Sequence, residues 1–181
     1  MKRSTVVTGG LLLVFVLVSS AFAGDPPSAT AKTPKAPTAA PAPSPLTTTA
    51  PTPHVNAIVH AHPLYCTMLA VMGEPLRPIL DEMLPYLGGV IEVTQFAPSG
   101  SAEIAAECVK SLGKRAAVLL ANHGNLCVGK NMSRAFQTAK YIEKYAHIYL
   151  QALSMNRVRE VPHERQVQQA PFYEYLKQMD W

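Results

Sequence analysis

A thirty-residue segment rich in proline, alanine and threonine limits where this chain can fold. Between residues 24 and 53, 25 of the 30 positions are Pro, Ala, Thr or Ser, and nine of these are Pro. Such a composition cannot bury enough apolar surface to offset the entropy lost on ordering. We therefore predict an extended, disordered linker over residues 24–53. A folded domain must be built from the residues that follow, from about His54 onward.

Residues 1–23 have the pattern of a secretory signal peptide. Two basic residues stand at positions 2 and 3, residues 11–18 are an unbroken apolar core, and the sequence Ala-Phe-Ala ends at Ala23. We expect cleavage after Ala23, a periplasmic or secreted protein, and no membrane association after cleavage. An uncleaved membrane anchor is the alternative, because residues 5–23 are mostly apolar. The uninterrupted apolar run is, however, short for a bilayer span of about 20 residues.

The charge of the foldable part argues against a nucleic-acid-binding function. From His54 to Trp181 the sequence contains 12 Lys or Arg residues against 11 Asp or Glu residues. A domain that binds nucleic acid usually presents a basic patch or stripe, and this region is nearly neutral. We therefore expect no nucleic-acid partner.

Short strand-like and helical segments alternate over residues 54–155, which we predict to form one domain. This alternation predicts a layered α/β fold, and we expect residues 156–181 to be a polar carboxy-terminal tail with a helix over residues 172–179. The hydrophobic periodicity predicts strands at 55–60, 90–96, 116–121 and 126–128, and helices at 65–72, 76–87, 101–112 and 135–153.

Three of the six histidines are placed to share a metal ion. His60 and His62 lie two residues apart at the end of a predicted strand, so their side chains point to the same face. His123 lies in a tight turn between two apolar strands. Three imidazoles with one open position match a catalytic zinc site. From the residues alone, a chance His-x-His pair and a turn histidine that bonds the backbone remain open, while His147, one helical turn after Glu143, is expected to be solvated.

Three motifs occur in order along about residues 53–155. They read VNAIVHAHP at 55–63, FAPSGSAE at 96–103 and LLANHG at 119–124, the last followed by Val128-Gly129. Together they resemble the class II aldolase/adducin family, which includes L-fuculose-phosphate aldolase and L-ribulose-5-phosphate 4-epimerase. The resemblance implies a three-layer α/β/α domain with a mostly antiparallel central sheet, here lacking its amino-terminal part. It also implies a homo-oligomer, usually a fourfold-symmetric tetramer.

The same resemblance implies a zinc ion, or another divalent metal, held by His60, His62 and His123. In the family, zinc stabilises the enediolate that forms when the carbon–carbon bond of a ketose phosphate breaks, which is Lewis-acid catalysis. The expected function is therefore that of a lyase. Its substrate would be a small hydroxy-carbonyl compound or a sugar phosphate, and export favours an unphosphorylated one.

The sequence departs from the family's pattern at the residue that transfers the proton. In the family, a glutamate about twenty residues before the first metal-binding histidine has this role, and that position here falls near Pro41 in the linker. No Asp or Glu occurs between residues 26 and 73, so the catalytic residues stay unassigned. The substitutes that the sequence offers are Glu74, Asp81, Glu82, or a tyrosine from a neighbouring subunit's tail, Tyr173 or Tyr175.

Two further interpretations follow from this missing carboxylate. The first is a non-catalytic metal-binding or assembly module, as in adducin, which has lost the catalytic carboxylate and the phosphate site. The second is a shortened gene whose fold is incomplete and which has little function. A carboxylate close to the metal would distinguish the lyase from both.

Overall fold

A three-stranded antiparallel sheet lies at the centre of residues 55–179, the part of the chain that the structure, a computed structural model, describes. Strand β1 spans Ala57–Ala61, β2 spans Ala117–Leu120 and β3 spans Gly124–Gly129. The strand order is β1-β3-β2. In the register of both pairs, Leu126 of β3 lies opposite His60 of β1 and Val118 of β2. The β2–β3 turn therefore lies beside the end of β1.

The described helices begin and end at residues that the local chemistry favours. Helix α1 ends at Gly73, whose φ of 66° is the left-handed conformation that glycine adopts without strain. Helix α3 begins at Ser101, whose Oγ accepts the N–H of Ile104 at 3.2 Å. The helices are α1 Leu64–Met72, α2 Met83–Leu87, α3 Ala102–Leu112, α4 Met132–Ser154 and α5 His163–Leu176.

The sheet lies between two helical layers, because successive residues of a strand point to opposite faces. Leu119 of β2 belongs to the main core together with residues of α1 and α4, whereas Val118 and Leu120 pack against Cys108 of α3. Each large apolar side chain buried in this way contributes about 1.5–3 kcal/mol relative to its exposed state. The predicted α/β fold with an antiparallel central sheet is confirmed.

Two predicted elements are only partly present. The helix expected over residues 76–87 is reduced to α2, and Pro78 disfavours helical backbone at the residue before it. Leu76 is instead extended and forms an isolated antiparallel bridge to Ile91. The strand expected over residues 90–96 is wrong as a regular element. Within this segment Ile91 forms an antiparallel bridge to Leu76, whereas Val93 forms a parallel bridge to Leu119.

The carboxy-terminal region contains a longer helix than predicted. We expected a helix over residues 172–179, whereas α5 begins at His163, directly after Pro162. A proline at residue 171, inside the helix, obscures its pattern in the sequence. Tyr173 is buried in the main core, and its hydroxyl donates to the carbonyl of Lys114 at 2.8 Å. This region therefore packs against the residues that precede it.

The predicted signal peptide, residues 1–23, and linker, residues 24–53, lie outside the described residues. Within residues 55–179, we find no helix with the length and apolar character needed to cross a bilayer.

Candidate metal centre

The structure brings the three predicted histidines together at one edge of the sheet. His60 is on β1, His62 follows that strand, and His123 lies in the β2–β3 turn. Each pair of rings has its centroids 4.8 Å apart, and one ligand nitrogen from each ring lies within 4.8 Å of the others. This convergence follows from the antiparallel pairing, which sets Ala61 opposite Asn125, two residues after His123.

A backbone hydrogen bond fixes the orientation of His60. Its Nδ1 lies 2.7 Å from the carbonyl oxygen of Asn125. Because a carbonyl only accepts, Nδ1 must carry the hydrogen and donate it. The lone pair of a neutral His60 is then on Nε2, which lies 3.1 Å from Nε2 of His62. A hydrogen bond from the ring nitrogen that does not bind the metal sets the tautomer and the ring orientation of metal-binding histidines.

The spacing of the nitrogens fits a small divalent ion. Two histidine nitrogens bound to zinc at 2.0–2.1 Å with a tetrahedral angle are about 3.3 Å apart. The Nε2 atoms of His60 and His62 are 3.1 Å apart, and a ligand nitrogen of His123 lies within 4.8 Å of the ligand nitrogens of both. The arrangement of three imidazoles can therefore hold a divalent metal and leave one position open.

The electrostatic surroundings favour neutral imidazoles. Burial lowers the pKa of His62 below its usual 6.5, and the neighbouring His60 lowers it further. Burial also lowers the pKa of His123, with additional contributions from His60 and His62. Because a metal binds the neutral ring, these shifts reduce competition from protons near neutral pH.

Two residues beside His123 allow the β2–β3 turn to lie close to Ala61 and His62. Asn122 has a φ of 55°, a left-handed conformation that asparagine tolerates. At Gly124 there is no room for a side chain. A Cβ there would overlap the backbone oxygen of Ala61 and would lie 2.6 Å from Cδ2 of His62. The local pattern predicted a tight turn around His123 and assigned no separate role to its two neighbours, although a glycine directly after a candidate ligand is a signal of close packing.

The three acidic residues that the sequence offered as proton carriers all have other partners. Glu74 accepts the hydroxyl hydrogen of Tyr149 at 2.7 Å. Asp81 accepts two hydrogen bonds from Arg165, at 2.7 and 2.8 Å, and Glu82 pairs with Lys144 at 3.0 Å. Within residues 55–179, the group able to share a metal consists of histidines and includes no carboxylate.

Of the two tyrosines that the sequence offered as proton carriers, only one is accessible at the surface. Tyr173 is only 3% exposed and packs in the core of its own chain, so its hydroxyl does not extend towards a neighbouring subunit. Burial also raises its pKa well above the usual value, which disfavours the phenolate. Tyr175 is 56% exposed and remains the accessible tyrosine of this helix.

A carboxylate that the sequence did not single out as a site residue lies at the start of α1. Glu143 of α4 accepts the backbone N–H of Tyr65 at 3.0 Å and that of Cys66 at 2.9 Å. His147, which we expected to be solvated, is exposed but its ring stacks on Tyr65 with centroids 3.9 Å apart. The sequence contained only an indirect sign that Glu143 would contact the start of α1. Pro63, which precedes α1, has no side-chain acceptor for the first helical amides.

Fold and site together define a class of protein: a layered α/β domain whose central sheet carries a three-histidine centre able to hold a divalent metal at one edge. The family described as the class II aldolase and adducin N-terminal domain matches residues 47–150. This match covers more than half of the sequence, and the chain belongs to that family.

Several relatives with assigned functions share this part of the chain. A 5-deoxy-D-ribulose 1-phosphate aldolase of Bacillus thuringiensis serovar kurstaki is 31% identical over 110 residues, which cover 61% of this chain and 51% of that protein. An L-fuculose phosphate aldolase of Escherichia coli O6:H1 is 31% identical over 101 residues, covering 55% of this chain and 46% of that protein. The chain therefore spans about half the length of the curated relatives it matches.

Solved structures show the same fold. The structure of an L-fuculose 1-phosphate aldolase superposes with a TM-score of 0.63 at 34% sequence identity, covering 66% of this chain and 56% of that chain. This likeness agrees with the layered architecture and with the family assignment.

Proposed function

We propose that this chain is a zinc-binding class II aldolase-family protein that acts as a carbon–carbon lyase on a small hydroxy-carbonyl compound or sugar phosphate. The observation that carries the proposal is the hydrogen bond from His60 to the carbonyl of Asn125. It leaves the lone pair of a neutral His60 on Nε2, which lies 3.1 Å from Nε2 of His62. The names of the aldolase relatives support the reaction class.

His60, His62 and His123 would hold the metal through neutral imidazoles. When bound, a divalent ion supplies Lewis-acid polarisation of a carbonyl or hydroxyl oxygen. The protein's own contribution is to hold the three rings in place through β1, its pairing with β3, and the β2–β3 turn. His62 is exposed, so a bound ion would be accessible from solvent.

A non-catalytic metal-binding or assembly module is the second candidate. An acid or base must come within about 2.6–3.2 Å of the proton that it transfers. Glu74, Asp81 and Glu82 have the partners described above, and this observation favours the second candidate. We expect metal binding to be retained in either case.

The site assignment is tested by metal analysis of the purified protein. We expect about one zinc per subunit, as in three-histidine sites with an open position. His123→Ala should lose this metal, whereas His163→Ala, which changes an exposed histidine on α5, should retain it. Stoichiometric metal in the His60→Ala/His62→Ala double variant would refute the assignment.

Catalysis is tested separately, by turnover of L-fuculose 1-phosphate with zinc-loaded protein beside an intact family member. General acid–base assistance is typically worth about 10²–10⁴ in rate, or about 3–5 kcal/mol. We therefore expect turnover at least about 100-fold slower than the control. A rate within about tenfold of it would exclude the non-catalytic candidate and show that another group transfers the proton.

We also propose that the chain forms a homo-oligomer, a tetramer by family resemblance. Four apolar side chains with helical spacing are exposed on α1, which begins two residues after His62: Leu64, Met68, Val71 and Met72. Light scattering during gel filtration would test the assembly, and a monomer at micromolar concentration would contradict it.

A further inference from the structure

The start of α1 depends on a side chain from a distant part of the chain. The first amides of a helix have no partner within the helix, and the residue before α1, Pro63, makes no side-chain cap. Glu143 of α4 supplies the acceptors, with one oxygen 3.0 Å from the amide nitrogen of Tyr65 and the other 2.9 Å from that of Cys66. Both carboxylate oxygens are therefore used to hold this helix terminus.

A carboxylate is well suited to this position. A negative charge at a helix amino terminus interacts favourably with the helix dipole, and hydrogen bonds to a charged acceptor are stronger than neutral ones. An amide in the same orientation would place an NH₂ group, which cannot accept, against one of the two backbone N–H groups. The stacking of His147 on Tyr65 is a second contact between the same two helices.

The chain between α1 and the metal centre has little freedom. Pro63 alone separates His62 from α1, and its ring restricts φ, which is −72°. The carbonyl of Pro63 accepts the N–H of Thr67 at 2.9 Å, so this residue is already tied to the helix. A change in the position of the α1 terminus is therefore passed directly to His62. His60, in contrast, is held by the sheet and by Asn125.

We propose that Glu143 is a positioning residue for the metal centre, acting by holding the amino terminus of α1 and, through Pro63, the imidazole of His62. The inference rests on the proposed function, because it presupposes that the three histidines bind a metal. Residues that orient metal ligands typically change metal affinity by 10–100-fold when they are replaced.

The test compares Glu143→Gln with the wild-type chain and with Tyr149→Phe. The control removes a hydrogen bond, that to Glu74, from the same helix α4 and leaves the α1 terminus unchanged. Binding of Zn²⁺ is measured by calorimetry well below the melting temperature of each variant, and Co²⁺ is added to record the visible spectrum of its coordination geometry. We expect Glu143→Gln to bind Zn²⁺ about 10–100-fold more weakly with an altered Co²⁺ spectrum, and Tyr149→Phe to match the wild type.

The possible failures can be told apart. If the wild-type chain binds neither ion, the proposed metal centre is refuted, and this inference with it. If the wild type binds and Glu143→Gln has the same affinity and spectrum, only the positioning role is refuted. An equal loss in Tyr149→Phe would also overturn it, because general destabilisation would then explain the effect. Should Glu143→Gln fail to fold, Glu143→Asp retains the charge at a shorter reach, and unchanged affinity in that variant would refute the role.

Discussion

Replacing Gly124 by alanine should damage the metal centre and also strain the strand pairing beside it, because the new Cβ would overlap the backbone oxygen of Ala61. The new Cβ would lie 2.6 Å from Cδ2 of His62, whereas ordinary contacts begin at 3.4 Å. The ring must therefore move by about 0.8 Å, which exceeds the tolerance of about 0.2 Å in metal–ligand distances. We expect zinc affinity to fall at least about tenfold, equivalent to about 1.4 kcal/mol.

The same substitution should lower the stability of the metal-free protein. Overpacking of a well-packed site typically costs about 1–3 kcal/mol. For a folded region of this size, 1 kcal/mol corresponds to a shift of about 4 °C in melting temperature. The expected loss is therefore roughly 4–12 °C, measured by thermal unfolding in a chelator.

Gly129→Ala is the matched control for this prediction. Gly129 lies at the other end of β3, and a Cβ there would be 2.5 Å from the backbone nitrogen of Ala135. The control should lose comparable stability while its zinc affinity, measured by calorimetry, stays within about twofold of the wild type. Wild-type affinity in Gly124→Ala would refute the reasoning, and an equal loss of affinity in both variants would show that the effect is not local.

Three further predictions concern titration, proton transfer and processing. The pKa values of His62 and His123 are lowered in the fold, so below about pH 6.5 the unfolded chain binds more protons. The unfolding free energy of metal-free protein should therefore fall as the pH drops through 6.5 to the lowered values. Urea titrations at several pH values would measure this, and an unchanged slope in the His62→Ala/His123→Ala variant would contradict it. If turnover approaches that of the intact family member, single replacements Glu74→Gln, Asp81→Asn and Glu82→Gln should identify the proton carrier by a loss of rate of about 10²-fold or more. An unchanged rate in all three variants would exclude these acids as proton carriers. We further propose export, and mass spectrometry of the secreted fraction should find a chain that begins at or near Gly24, whereas full-length protein confined to membranes would favour the anchor.

Local sequence patterns were sufficient to predict the elements that carry the metal centre. Four predicted elements agree with the structure to within a few residues: the strand that carries His60, the helix that ends at Gly73, the helix capped by Ser101 and the long helix α4. These features depend on periodicity, capping and glycine conformation, which act over a few neighbouring residues. The spacing of the histidine pair and the turn position of His123 also follow from the local pattern.

Local patterns were insufficient where pairing is divided or a proline interrupts an element. The segment containing Ile91 and Val93 is apolar enough for a strand, but its two bridges lead to different neighbours. Pro78 and Pro171 had opposite outcomes, since the first lies in the non-helical segment before α2 and the second lies within α5. Whether a helix tolerates a proline depends on the packing of the helix, as Tyr173 shows by anchoring α5 in the core.

The tertiary structure alone decided which distant side chains meet. Glu143 reaches amides 77 and 78 positions away in the chain, and Asp81 pairs with Arg165 across 84 positions. A local pattern can show that the first turn of α1 needs an acceptor, but it cannot show that α4 provides one. The sequence thus determined the three imidazoles and the strand and turn that carry them. Which side chains orient those imidazoles, and which carboxylates are already engaged elsewhere, depended on long-range packing, because the energies of such contacts exist only once the helices lie against the sheet.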